Sequence, residues 1–134
     1  MPRRTPQAML DTVPSVALSR VLDSLRGMSA VEAAVVFDRS GRVLASSCPR
    51  SWNPQAIASA CSRVLAATED DTFAMELPVR VDIRGKKGSA ILVSAGNGTI
   101  LAVVAKTTTP ESLSLEIARV AEEIRIAVSS ARDG

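Results

Sequence analysis

The sequence predicts an α+β fold, an α/β/α sandwich in the order α-β-β-α-β-β-β-α with one five-stranded antiparallel sheet. Three observations predict it. Residues 31–47, VEAAVVFDRSGRVLASS, place two apolar runs on either side of Asp38-Arg39-Ser40-Gly41. Asp bonds to nearby backbone and Gly accepts positive φ, so this reads as a β-hairpin. Residues 90–95 and 100–105 form a second apolar pair around Gly96-Asn97-Gly98, and Asn-Gly at such a junction is a strong hairpin signal. Strands apolar on both faces need a layer above and below, and three segments with helical periodicity stand ready to supply helices for both.

Taken in order, residues 1–13 read as a flexible leader holding Pro2, Pro6, Arg3 and Arg4, and residues 14–131 as a single domain. Thr12 or Ser15 can cap a first helix with Pro14 in its first turn. Leu18, Val21, Leu22 and Leu25 fall on one face of it, and Gly27 is a natural stop. After the first hairpin, Asn53-Pro54 reads as cap and first residue of a second helix reaching about residue 67. Its apolar stripe is Ile57, Cys61, Val64 and Leu65, with Ala60 alongside. The opposite face, Ser59, Ser62, Arg63 and Ala66, is small and nearly uncharged, which permits close approach of a partner helix.

Glu69-Asp70-Asp71 belongs to a polar connector. Leu77, Val79, Val81 and Ile83 then alternate with Glu76, Pro78, Arg80, Asp82 and Arg84, the period of a strand with one wet face. Pro78 cannot donate to a ladder, so that end belongs at a sheet edge or bulge. Gly85-Lys86-Lys87-Gly88 turns the chain into the second hairpin. Thr109-Pro110-Glu111 opens the last helix, with Leu113, Ile117, Val120, Ala121, Ile124, Ala127 and Val128 as its stripe. Glu116 with Arg119, and Glu122 with Arg125, are pairs on its exposed flanks. Residues 132–134 are a short tail.

The 134 residues carry 16 basic and 14 acidic side chains, a net charge of +2 that gives no reason to expect nucleic acid or an acidic membrane surface as partner. Aromatics are 2%, so base-stacking platforms are lacking and the core must be aliphatic. No apolar run approaches the length of about 18 residues that spans a membrane, and the N-terminus lacks the apolar stretch of a secretory signal. Cys48 and Cys61 have neither metal-ligand nor redox spacing; reduced thiols in a cytoplasmic protein are expected, with Cys61 a buried, inert one.

Catalytic chemistry finds little to stand on. There is no histidine, hence no usual general base and no commonest metal ligand. No G-x-S-x-G or Walker-type motif occurs, and Gly96-Asn97-Gly98 precedes a strand rather than a phosphate-binding helix. No cofactor, metal or catalytic residue is expected. Arg39 and Arg42, at a turn, are weak candidates for an arginine finger acting on another protein's bound GTP.

In this order the first helix ending Leu25-Arg26-Gly27-Met28, VEAAVVFDRSGRVLASS with Asp38 and Gly41 at its turn, the Ala- and Ser-rich second helix, ILVSAGNGTILAVVA and the closing helix resemble the Roadblock (dynein light chain) family, most closely its prokaryotic MglB-type members. The resemblance covers residues 14–131. It implies one helix on one face of the sheet and two on the other. It also implies a homodimer joined through the second helix and third strand, and regulation or scaffolding of a Ras-like small GTPase. MglB-type dimers stimulate GTP hydrolysis without donating a catalytic finger. Carried onto this chain, the interface would involve Ser59, Ser62, Arg63, Ala66, Leu77, Val79, Arg80 and Val81, although Pro78 removes a donor from any continuous ladder between protomers. Two alternatives stay open: a dimeric adaptor without effect on hydrolysis, and a profilin- or PAS-like module holding a small ligand between sheet and helix.

Overall fold

The computed structural model describes residues 6–68, 80–96, 98–106 and 111–133, with side chains described from residue 16 to 129 within them. The elements are α1 (Pro6–Arg26), β1 (Val31–Asp38), β2 (Val43–Ser47), α2 (Pro54–Thr68), β3 (Arg80–Arg84), β4 (Ser89–Ser94), β5 (Thr99–Ala105) and α3 (Glu111–Asp133). This is the predicted order. All strand pairs are antiparallel, and the sheet runs β2-β1-β5-β4-β3. The two hairpins meet along β1 and β5, which leaves β2 and β3 as opposite edges.

Strand alternation sorts the side chains into two cores. Ala34 and Val36 of β1 with Leu101 and Val103 of β5 join Leu18, Leu22 and Leu25 of α1 and Leu113, Ile117, Val120, Ile124 and Val128 of α3. Val35 and Phe37 of β1 with Ile100 and Ala102 of β5 and Leu92 of β4 point the other way, onto Ala58, Cys61 and Leu65 of α2. Two helices therefore cover one face and one helix the other. Both cores are almost wholly aliphatic, Phe37 being the one buried aromatic among the described residues.

Local signals place most element ends. The Asn53 carboxamide oxygen accepts from the backbone N–H groups of Gln55 and Ala56, at 3.0 and 3.3 Å, capping α2. Gly96 and Gly98 take φ of 81° and 73° at the β4–β5 turn, where a side chain would be strained. Ser47 Oγ donates to Asp23 Oδ1 at 2.6 Å and ties the end of β2 to α1.

Three differences from the sequence reading stand out. The first helix begins at Pro6, so residues 6–13 of the expected leader are helical and Pro14 lies inside the helix. The preference of proline for a first turn is met by Pro6, and Pro14 stands in the helix interior, where proline has no N–H to give to the ladder. In α2 the buried alanine is Ala58, while Ala60 is exposed. The core face therefore follows Ala58, Cys61 and Leu65, with Ile57 and Val64 half-buried on its flanks. Ile83, expected on the inner face of its strand, is 38% exposed because β3 is an edge strand that the described helices only partly cover. Leu77, Pro78 and Val79 lie outside the described residues, as do Glu69, Asp70, Asp71, Thr109 and Pro110.

Candidate functional site

The surface singled out by sequence is built from the outer face of α2, the β1–β2 turn and the β3 edge. Asp38 makes the turn. Its Oδ1 accepts from Ser40 N at 3.0 Å, Ser40 Oγ at 2.6 Å and Arg42 N at 3.0 Å, and Oδ2 lies 3.7 Å from Arg42 Nε. Partial burial pulls the Asp38 carboxyl upward, but the hydrogen bonds from Ser40 and Arg42 outweigh it and hold the group below its usual value. Gly41 follows at φ 91°.

That turn is fastened to α2. Gln55 Nε2 donates to the Gly41 carbonyl at 2.6 Å, and Ser62 Oγ donates to the Arg39 carbonyl at 3.1 Å. Gly41 lies against α2: a Cβ there would stand 3.6 Å from Ser62 Cβ and 3.8 Å from Ser59 Cα. Arg39 and Arg42 are thus carried on a rigid turn beside the helix, both exposed to solvent. The turn and α2 form one continuous surface that local sequence pattern could not reveal, because the contacts join residues 14 to 23 positions apart.

The predicted site residues divide accordingly. Ser59, Arg63 and Ala66 are exposed on the outer face of α2, and Ser62 is half-buried and turned towards the β1–β2 loop. Val81 is half-buried on the α2 side of β3, packed against the second core. Arg80 belongs to the other side of the sheet. Its guanidinium bonds both oxygens of Asp82, at 2.6 and 3.1 Å, and donates to Ser114 Oγ of α3 at 3.3 Å. The Arg80 hydrogen bond holds the Asp82 carboxyl below its ordinary value despite some desolvation. The α2 helix carries no acidic residue and a single basic one, Arg63.

Chemistry is sparse elsewhere. Cys61 is buried, and desolvation pushes its thiol up, away from the reactive thiolate. Among the described residues no buried side-chain nitrogen or oxygen lacks a hydrogen-bond partner, and no cluster of His, Cys, Asp or Glu is arranged to hold a metal ion. No helix of the described residues is long and apolar enough to cross a membrane. An open groove of about 690 Å³ lies at the C-terminal end of α1, lined by Asp23, Arg26, Glu32, Ser47 and Lys106 among others. Its walls come from the end of α1, the start of β1 and the end of β2.

With this geometry in place, the comparisons with known proteins are consistent with one another. The Roadblock/LC7 domain model matches residues 18–105. The fold is similar to that of MglB from Myxococcus xanthus, with 18% identity, a TM-score of 0.78, and 87% of this chain and 90% of that one covered. It is similar to the gliding protein MglB from Thermus thermophilus, with 20% identity, a TM-score of 0.77 and coverage of 87% and 92%. A Roadblock/LC7 domain from Streptomyces avermitilis shares 17% identity at a TM-score of 0.74, covering 83% and 97%. No curated protein matches the chain significantly.

Proposed function

Since the chain belongs to the Roadblock/LC7 family, we propose that it is a homodimeric, cytoplasmic regulator or scaffold of a Ras-like small GTPase. The observation that carries this reading is the outer face of α2. Ser59 and Ala66 present short side chains to solvent, Arg63 is the one charge of the helix, and Val81 of edge strand β3 packs on the same side of the sheet. Short side chains let a second α2 approach closely, and the outer edge of β3, unpaired among the described residues, offers backbone groups for pairing with another copy. The exposed Ile83 and half-buried Val81 supply apolar area beside that edge. Protomers joined in this way would present two α2 helices and two β1–β2 turns on a common face.

The effect on the GTPase is one of differential binding. A rigid surface that fits one arrangement of the partner's switch loops better than another shifts their population by its difference in affinity. No residue of this chain need enter the GTPase site, which agrees with the lack of histidine and of catalytic motifs. Arg39 or Arg42 acting as a finger is the sharper variant of the same reading, because the turn holds both at a fixed place.

The test pairs GTP hydrolysis with mass. The full chain is mixed with each small Ras-like GTPase of its organism, and turnover is measured alongside light scattering. Binding with altered hydrolysis is the expected result, and binding without it leaves the dimeric adaptor. A monomer inert towards every GTPase sinks the proposal. Loss of stimulation in Arg39→Ala or Arg42→Ala, with binding retained, would establish a finger; unchanged stimulation removes it.

A further inference from the structure

The α1–α3 layer carries an apolar pattern that neither core uses. Four large apolar side chains are exposed among the described residues, and three lie on this layer: Val16 at 58%, Leu115 at 76% and Ile126 at 51%. Leu115 and Ile126 are separated by eleven positions of α3, about three turns. They therefore leave the helix in nearly the same direction, roughly 16 Å apart. Arg119 and Glu122 lie between them on that stripe, while Leu113, Ile117, Val120 and Ile124 point the opposite way into the core. Single exposed apolar residues are ordinary. A pair repeating on the helical period, diametrically opposite the core face, has a different character.

We propose that this outer face of α3 is a self-association surface, occupied by α3 of a second copy packed antiparallel about a two-fold axis level with Val120 and Ala121. The register argues for that occupant. Positions equidistant from the axis meet, so Leu115 comes opposite the partner's Ile126 and Arg119 opposite the partner's Glu122. Apolar meets apolar and each charge meets its opposite, twice over by symmetry. A parallel arrangement in register would set Arg119 against the same residue of the other copy, so the charge order selects the antiparallel one. The side chains are already held along the stripe, Arg119 by Glu116 and Glu123, and Arg125 by Glu122. A guanidinium has five donors and a carboxylate several acceptor sites, so these intrahelical pairs leave capacity for an interhelical one.

This surface lies on the opposite side of the sheet from α2, and its existence does not depend on the GTPase reading. One chain can engage a copy through each face, and two such symmetric contacts make a tetramer if they close.

Association of the full chain is followed by sedimentation or light scattering over a range of concentrations, with far-UV circular dichroism confirming the fold. Leu115→Glu and Ile126→Glu are each expected to weaken association about tenfold or more. Arg119→Glu weakens it also, and combining Arg119→Glu with Glu122→Arg restores it, because the swap is complementary on both copies. The double variant Leu115→Cys, Ile126→Cys forms a covalent dimer on oxidation, whereas neither single variant does; the two positions are too far apart to link within one chain. An unchanged mass for folded Leu115→Glu overturns the proposal. So does a fall of Ala66→Glu all the way to monomer, which confines self-assembly to α2 where two independent faces would leave an α3 dimer, or cross-linking of the single variants, which requires another register.

Discussion

Asp38 shows how much of the candidate surface hangs on one side chain. It satisfies two backbone donors and one hydroxyl, fixes the β1–β2 turn, and thereby delivers Gly41 and Arg39 to α2. Asp38→Ala is expected to cost about 1 kcal/mol at neutral pH, the usual worth of such bonds at a partly exposed site. Because the folded-state carboxyl is held below its ordinary value, its stabilisation is complete above the unfolded carboxylate range and disappears as the pH falls through the folded value. Denaturant titrations at pH 7 and near pH 3 should therefore show the gap between wild type and Asp38→Ala shrinking in acid. A gap that widened in acid would contradict the hydrogen-bond assignment. At Gly41 the φ of 91° sets the cost: Gly41→Ala should lose about 1–2 kcal/mol from backbone strain alone, since the nearest neighbour of an added Cβ is at ordinary contact distance, 3.6 Å.

At the scale of elements, sequence pattern was informative wherever a residue type had one physical reason to be there. Asp38 with Gly41, and Gly96 with Gly98, had to be turns, and the long apolar stripe of α3 could be nothing but a helix on a core. Pattern failed where the residue was ambivalent. Pro6 and Pro14 are both acceptable at a first turn, and the upstream one begins the helix. Ala56, Ala58 and Ala60 are equally good helix formers, so only the packing partners Val35, Phe37 and Leu92 decide that Ala58 is the buried one. Ser62 looked like part of an open face, and the carbonyl it bonds belongs to a residue 23 positions away. Calorimetry can check the corrected phase of α2. Ala58→Leu should overpack the second core and cost about 1–3 kcal/mol, whereas Ala60→Leu should stay within about 0.5 kcal/mol of wild type. Equal effects would mean that the core face is rotated from the one described.

For the whole molecule, the shared sheet makes the two cores one cooperative unit. Each of β1 and β5 contributes side chains to both sides, so losing either helical layer strips half the burial from the same strands. Leu22→Ala on one side and Leu65→Ala on the other should each cost about 2–5 kcal/mol. Both variants should unfold in a single transition, in which Trp52 fluorescence and circular dichroism coincide. Self-association adds a further signature. If the folded unit is a dimer, unfolding releases two chains, and each tenfold rise in protein concentration adds about 1.4 kcal/mol to apparent stability. The denaturation midpoint of the wild type should therefore climb with concentration. Placing a charge on the exposed α2 face by Ala66→Glu should lower the midpoint at high concentration and flatten the slope, leaving the dilute-limit stability nearly unchanged because Ala66 touches neither core. A midpoint independent of concentration in the wild type would show that the folded chain stands alone, and the small-residue face of α2 would then need another partner to explain it.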